Sequence, residues 1–161
     1  MSENKYDVVV FGSTGFTGRL VAEYLATSYA DSGENVKWAM AGRSLEKLKL
    51  VREEMGISDQ IDLLIADSDD ADAMQALVAK TKVVLTTVGP YQIYGEKLLK
   101  ACVTSGTGYV DLCGEPAWMH QMINKYQDQA KISGAVIVFS CGFDSVPFDL
   151  GVFYLQEHVK Q

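Results

Sequence analysis

Residues 8–18 read VVVFGSTGFTG, an apolar run that leads directly into three glycines spaced three positions apart. The glycines are followed at 19–30 by RLVAEYLATSYA, which has the composition of a helix. A strand, a glycine turn and a helix in this order favour phosphate binding, because the free backbone N–H groups at a helix N-terminus point towards an anion. The stretch therefore predicts the βα unit of a dinucleotide-binding domain. A glycine-rich turn that binds no ligand is the alternative.

The rest of the chain repeats this alternation of apolar runs and helical periodicity. Most of the further runs of strand length are continuously apolar, which is typical of parallel strands that are buried on both faces. These runs lie at 35–41, 61–66, 82–88, 108–113 and 135–140. The pattern predicts an α/β fold of Rossmann type, a doubly wound parallel sheet with the strand order 3-2-1-4-5-6 in a single domain.

Composition and charge narrow the range of partners. The net charge of -7 argues against a nucleic-acid-binding face, which needs concentrated lysine and arginine. The three cysteines have neither metal-ligand nor disulfide-framework spacing, and no signal-like segment opens the chain, so we expect a reducing, cytoplasmic compartment. No apolar run approaches the roughly 20 residues that a membrane-spanning helix requires.

Each glycine of the first turn has a distinct predicted role. Gly12 allows the sharp turn after the strand, Gly15 lets the backbone approach a pyrophosphate, and Gly18 lets helix and strand pack closely. The spacing G-x-x-G-x-x-G is a variant of the usual dinucleotide fingerprint, and the hydroxyl groups of the turn are further candidate donors to the anion. The predicted cofactor contacts in this turn are Gly12, Ser13, Thr14, Gly15, Phe16, Thr17 and Gly18.

The end of the second strand indicates which dinucleotide binds. An NAD site places an acidic residue there to bind the ribose 2′-hydroxyl, whereas AMAGRSLEKL at 39–48 has Gly42, Arg43 and Ser44 in that place. A carboxylate would repel a 2′-phosphate, and a guanidinium binds it with two charge-assisted hydrogen bonds. Arg43 and Ser44 therefore predict NADP rather than NAD, although Ser44 also fits the N-cap of the next helix.

Two further strand ends should complete the cleft, since ligands bind at the carboxyl ends of the strands in such sheets. Asp67 ends the third strand, where it either accepts from the adenine amino group or caps the following helix. The fourth strand ends in TTVGPYQIYG at 86–95. We expect Gly89 and Pro90 to run beside the ribose and nicotinamide, with Tyr91 close to the nicotinamide ring; a purely structural turn is the alternative.

Taken together, these stretches resemble the N-terminal part of the saccharopine dehydrogenase-like oxidoreductases, a family that includes trans-acting enoyl reductases. The resemblance covers nearly the whole chain. It rests on four blocks in order: VVFGSTGFTGRLVAEYL (9–25), WAMAGRSLEKL (38–48), TTVGPYQIYGEKLLKACVTSGTGYVDLCGE (86–115) and SCGFDSVPFDLG (140–151).

The resemblance implies a domain organisation. Residues 1–150 would form an NADP-binding Rossmann domain, and 151–161 would begin a helix that connects to a substrate and dimerisation domain absent from this sequence. A homodimer would then form through that absent part. The dense apolar face of the last helix is expected to pack on the sheet or on that domain.

Residues for catalysis are harder to assign. No tyrosine is followed four positions later by lysine, which disfavours a short-chain dehydrogenase. Cys113 and Cys141 follow strands and are candidate nucleophiles of a semialdehyde dehydrogenase, but buried, unreactive thiols are the simpler interpretation. Polar residues just past strand ends either act on substrate or cap helices. They are Glu115, Asp144 and Ser145. No catalytic residue and no metal site are predicted.

The sequence thus predicts the NADP(H)-binding domain of an oxidoreductase that transfers hydride to or from an organic substrate. Two other functions stay open. The first is a non-catalytic module that binds NADP(H) or acts as a scaffold, and the second is the cysteine-dependent semialdehyde dehydrogenase.

Overall fold

The computed structural model describes residues 5–29 and 36–160 and, within them, six strands and six helices in strict alternation. The predicted second strand begins at Asn35, which lies outside the described residues. The elements are β1 (Tyr6–Phe11), α1 (Phe16–Tyr29), β2 (Trp38–Gly42), α2 (Leu45–Glu54), β3 (Asp62–Ile65), α3 (Ala71–Val78), β4 (Thr81–Thr86), α4 (Tyr91–Ser105), β5 (Gly108–Asp111), α5 (Pro116–Ser133), β6 (Ile137–Val138) and α6 (Val146–Val159).

The sheet has the predicted topology. Its order is β3-β2-β1-β4-β5-β6, and every neighbouring pair of strands is parallel. The strand order reverses between β1 and β4, and ligands of such sheets bind outside the carboxyl ends of the strands at that point. The predicted Rossmann-type fold is therefore confirmed, and its switch point lies at the end of the apolar run that opens the chain.

Strand β1 shows why the sheet is covered on both faces. Val9 and Val10 each have 0% of their surface exposed, and they point into different clusters. Val10 packs with α1 and α2 on one face, and Val9 packs with α3, α4 and α5 on the other. Burial of branched apolar side chains on both faces explains the continuous apolar pattern of the strand.

Helix α6 is the one described helix that buries none of its side chains. Phe148 and Phe153 are both largely exposed, so the described residues do not cover the apolar face that we expected to be packed. The helix begins at Val146, five residues before the position where the domain boundary was predicted. Within the described ranges, none of the helices combines the length and apolar character needed to span a membrane.

Candidate functional site

A cavity of about 200 Å³ lies where β1, β2 and β4 end. We refer to it as the switch-point cavity, because it occupies the place where dinucleotides bind in doubly wound sheets. It is lined by Phe11, Gly12, Thr14, Gly15, Gly42, Arg43, Ser68, Thr87, Val88, Gly89 and Tyr94.

Close packing of the glycine turn against its neighbours shapes the cavity. Gly12 has a φ of 95°, and a Cβ atom there would lie 2.7 Å from the Oγ1 atom of Thr87. A Cβ on Gly18 would lie only 2.1 Å from the carbonyl oxygen of Gly12, so α1 approaches the end of β1 as closely as its backbone allows. The predicted packing role of Gly18 is confirmed.

The N-terminus of α1 is open to an anion. The backbone N–H groups of Phe16, Thr17 and Gly18 have no acceptor among the described residues, and the first turn of α1 has no acidic side chain. Ser13 does not have its predicted role as a donor to the anion. The residue is fully buried, and its hydroxyl donates to the carbonyl oxygen of Val10 at 2.6 Å. Among the hydroxyl-bearing residues predicted in this turn, Thr14 lines the cavity.

Arg43 is the one charged residue in the lining of the switch-point cavity. Its exposed guanidinium has no hydrogen bond or ion pair with the described residues. By contrast, Arg19 pairs with Glu54 at 3.0 Å, and Arg52 donates to the carbonyl oxygen of Ile61 at 3.0 Å. Arg43 is therefore available to a ligand anion.

Ser44, next to Arg43, is the N-cap of α2, as the alternative interpretation expected. Its side-chain oxygen accepts from the backbone N–H of Lys47 at 3.3 Å. A serine hydroxyl that accepts one hydrogen bond still carries a proton that it can donate.

Asp67 does not cap the helix that follows it. Its Oδ1 atom accepts from the backbone N–H of Asp69 at 3.0 Å, while Asp70 is the N-cap of α3. Asp67 does not line the switch-point cavity, but its neighbour Ser68 does, with only 4% of its surface exposed. Sequence reasoning missed Ser68, which lies three residues after the end of β3, although a small polar residue in the loop after a strand is compatible with this position.

The segment that follows β4 places Tyr91 differently from the prediction. Gly89 lines the cavity, and Pro90, joined to it by a cis peptide bond, is the N-cap of α4. Tyr91 is 5% exposed, and its hydroxyl donates to the carbonyl oxygen of Thr86 at 3.1 Å. Burial raises the pKa of this phenol well above its usual value. The expected position of Tyr91 beside a nicotinamide ring is therefore corrected: its ring belongs to the core, and Tyr94 lines the cavity instead.

Several other candidate residues lie around a second cavity, of about 280 Å³, on the other side of the glycine turn. Thr17 lines this second cavity rather than the first, together with Cys141, Asp144 and Ser145. Phe16 is 82% exposed and lines neither cavity. The predicted residues of the glycine turn thus lie in two cavities, on the protein surface and, for Ser13 and Gly18, in the interior.

The second cavity also contains a buried carboxylate that the sequence did not reveal, that of Asp111. Its Oδ1 atom accepts from the backbone N–H groups of Cys113 at 3.0 Å and Ser140 at 2.8 Å, and its Oδ2 atom accepts from the hydroxyl of Tyr109 at 2.8 Å. Burial raises the pKa of the carboxyl group, and the hydrogen bonds lower it to a smaller extent.

The cysteines lack the surroundings of a reactive thiolate. Burial raises the pKa of Cys113 to about 11 and also raises that of Cys141. The described contacts of His120 and His158 are with Asn124 and with the carbonyl oxygen of Tyr154, not with a thiol. Within the described residues, no group of three or more histidine, cysteine or acidic side chains forms a metal-binding cluster.

Comparison with known proteins agrees with this geometry. Residues 8–138 match the family model of the saccharopine dehydrogenase NADP-binding domain. A trans-acting enoyl reductase from Mycobacterium tuberculosis is 44% identical over 155 residues, which cover 96% of this chain and 36% of that protein. A lipid droplet localized protein from Caenorhabditis elegans is 42% identical over 160 residues, covering 96% of this chain and 37% of that protein.

A solved structure supports the fold. Apo saccharopine dehydrogenase (L-Glu forming) from Saccharomyces cerevisiae superposes with a TM-score of 0.64 at 20% identity, over 86% of this chain and 28% of that chain. The chain thus spans little more than a third of the curated relatives that it resembles. Because the family model covers most of the sequence and the relatives are well above 30% identical, the chain belongs to the saccharopine dehydrogenase NADP-binding domain family.

Proposed function

We propose that this domain binds NADP(H) in the switch-point cavity and that Arg43 binds the 2′-phosphate. The observation that carries the proposal is the guanidinium of Arg43 at the end of β2, which has no hydrogen-bond or ion-pair partner among the described residues. The cavity that it lines contains no carboxylate in its lining. A guanidinium binds phosphate with two parallel hydrogen bonds, whereas a carboxylate here would have favoured the 2′-hydroxyl of NAD.

The strand order defines how the dinucleotide would lie. Since β2 and β4 flank β1 on opposite sides, the adenosine half would lie beside β2 and Arg43, and the nicotinamide half beside β4 and Gly89. The pyrophosphate would lie between them, against the open N–H groups of Phe16, Thr17 and Gly18. Ser68 would contact the adenosine half from the end of β3.

We further propose that the protein carrying this domain is an oxidoreductase. The bound cofactor would supply the hydride chemistry, and the residues of the cavity would hold and orient it. The names of the mycobacterial relative and of the yeast structure support this class of activity. The thiol environments give no support to a cysteine-dependent semialdehyde dehydrogenase, since burial raises the pKa values of Cys113 and Cys141.

We also propose a second domain and a cytoplasmic location for the protein that carries this domain. The exposed apolar face of α6 would pack against a substrate and dimerisation domain. The relatives are long enough to contain such a domain, because this chain covers only 36% of the mycobacterial one. The cytoplasm is the proposed compartment, and the three free cysteines of the described residues support a reducing environment.

Calorimetric titration with NADPH and NADH tests the cofactor assignment. A bidentate charge-assisted pair contributes about 1.5–3 kcal/mol, so NADPH should bind at least about tenfold more tightly than NADH, and Arg43→Ala should abolish that preference. Lys49→Ala is the matched control, because it removes one positive charge from α2 outside the cavity. Equal affinity for the two cofactors in the unmodified chain would refute the role of Arg43.

The same titration, followed by a turnover assay, distinguishes an enzyme from a non-catalytic NADP(H)-binding module. An oxidoreductase must oxidise NADPH in the presence of a reducible organic substrate, whereas a binding module has the same affinity and no turnover. The assay requires the longer gene product, if the gene encodes one, because the relatives are more than twice as long as this chain.

A further inference from the structure

Glu115 stands at the N-cap of α5 but makes no side-chain capping bond to its own helix. Its carboxylate contacts α4 instead. The Oε1 atom accepts from the backbone N–H of Tyr91 at 2.7 Å, and the Oε2 atom accepts from that of Gln92 at 2.9 Å. Glu115 thus caps a helix that begins 24 positions earlier in the chain.

Helix α4 needs such a partner, because it has no local one. The first N–H groups of a helix have no acceptor within the helix, and negative charge is favourable beside them. Pro90, the N-cap of α4, provides no side-chain hydrogen bond, and the first turn of α4 has no acidic residue. Both carboxylate oxygens of Glu115 are used for this purpose, so the start of α4 is closed, in contrast to the open start of α1.

The capped end of α4 directly follows the loop that lines the switch-point cavity. Thr87 and Gly89 belong to this loop, which ends at Pro90. The hydroxyl of Thr87 donates to the carbonyl oxygen of Gly12 at 3.2 Å, which fixes the beginning of the loop against the glycine turn. Glu115 fixes its end, because Tyr91 and Gln92 are the first two residues of α4.

We propose that Glu115 is a positioning residue for the nicotinamide half of the cofactor. It holds the loop between β4 and α4 in the shape that receives that half, without itself lining the cavity. A loop held in its binding conformation before the ligand arrives loses less entropy on binding, which raises affinity. The inference rests on the proposed function, since it assumes that the cavity binds NADP(H).

The two halves of the cofactor allow a specific test. NADPH contains both halves, whereas adenosine 2′,5′-bisphosphate contains the adenosine half with its 2′-phosphate and lacks the nicotinamide. Glu115→Ala should weaken NADPH binding by about tenfold, and it should leave the affinity for the bisphosphate within about twofold of the unmodified chain. Arg43→Ala should weaken both ligands, because its proposed contact is with the phosphate that they share.

Glu96 provides the matched control. Its carboxylate also joins α4 to α5, since it accepts from the hydroxyl of Tyr126 at 2.8 Å and pairs with Lys125. It does not line the switch-point cavity, so Glu96→Ala should remove a contact between the same two helices and leave both affinities unchanged.

Hydrogen exchange measures the cap without any ligand. The amide protons of Tyr91 and Gln92 should exchange about tenfold faster or more in Glu115→Ala and retain their protection in Glu96→Ala. Glu115→Gln keeps one acceptor oxygen, so it should have an intermediate effect, and it replaces the alanine variant in every measurement if that variant does not fold.

Each outcome decides a different question. Unchanged NADPH affinity in Glu115→Ala would overturn the positioning role while leaving the proposed function intact. Equal weakening of NADPH and the bisphosphate would also overturn it, because a general loss of structure would then be responsible. If the unmodified chain binds neither ligand, the proposed function fails, and the positioning role fails with it.

Discussion

The Oδ1 atom of Asp111, at the end of β5, accepts a hydrogen bond of 2.8 Å from the backbone N–H of Ser140, just past β6. Ser140 has a φ of 59° and is the one non-glycine residue with positive φ among the described residues. Its hydroxyl donates to the carbonyl oxygen of Cys113 at 2.7 Å. A buried carboxylate thus holds the loop that carries Cys141 and Asp144 to the second cavity.

Replacing Asp111 should reveal this role in the stability of the domain. Asp111→Ala removes the acceptor of the buried N–H of Cys113, of the partly buried N–H of Ser140 and of the hydroxyl of Tyr109. It should lower the free energy of unfolding by about 3 kcal/mol. Asp111→Asn should cost less than about 1 kcal/mol, because its amide oxygen can accept from both N–H groups and its amide nitrogen can donate to Tyr109. Urea unfolding of the two variants measures both values, and equal losses would contradict the interpretation.

The pH dependence of stability, compared between the unmodified chain and Asp111→Asn, tests the buried charge. Burial raises the folded-state pKa of Asp111 above its unfolded value of 3.8. A raised folded pKa means that stability is fully present below pH 3.8 and is lost as the pH rises through the folded pKa. The stability of the unmodified chain relative to Asp111→Asn should therefore fall as the pH rises above 3.8. A stability difference between the two proteins that does not change with pH would show that the pKa of Asp111 is not raised.

Gly18 should be intolerant of any side chain. Both atoms closest to an added Cβ belong to the backbone of Gly12, at 2.1 and 2.7 Å, so no side chain can rotate away. Gly18→Ala should destabilise the domain by about 3 kcal/mol and abolish NADPH binding, because α1 must move away from β1. Gly151→Ala is the control, since no atom other than those of its chain neighbours and its own helix backbone lies within 4 Å of the added Cβ. It should stabilise α6 by about 0.5–1 kcal/mol. Calorimetric melting measures the stability of Gly18→Ala and Gly151→Ala.

Much of this architecture could be predicted, because it depends on local patterns. Continuous apolar runs predicted parallel strands buried on both faces, and Gly18 and Ser44 occupy the places that their types favour. The capping role considered for Asp67 is wrong because several acidic residues follow β3, and Asp70 among them is the N-cap of α3. The role of Glu115 depends on how two helices lie side by side, which the order of residues along the chain does not reveal.

The thiol chemistry can be checked directly in the native protein. Cys102 and Cys113 are buried, with pKa values raised to about 12 and about 11, while Cys141 is exposed. A thiol-specific disulfide reagent at pH 7 should modify one cysteine per native chain. The reaction should be slow, because partial desolvation of the thiol raises the pKa of Cys141. Rapid modification that saturating NADPH prevents would instead indicate an activated thiolate and restore the cysteine-dependent mechanism.

Replacing Tyr91 should lower the stability of the domain, whereas replacing Tyr94 should lower its affinity for NADPH. Tyr91 packs in the core with its ring centroid 5.7 Å from that of Trp118, and Tyr94 lines the switch-point cavity one turn later. Tyr91→Phe removes a buried hydrogen bond and should cost about 1–2 kcal/mol of stability while leaving NADPH affinity unchanged. Tyr94→Ala should weaken NADPH binding about fivefold or more with little loss of stability, because it removes contact surface from the cavity wall. Paired unfolding and titration measurements decide between them: if Tyr91→Phe weakens NADPH binding and Tyr94→Ala does not, Tyr91 rather than Tyr94 faces the cofactor in solution.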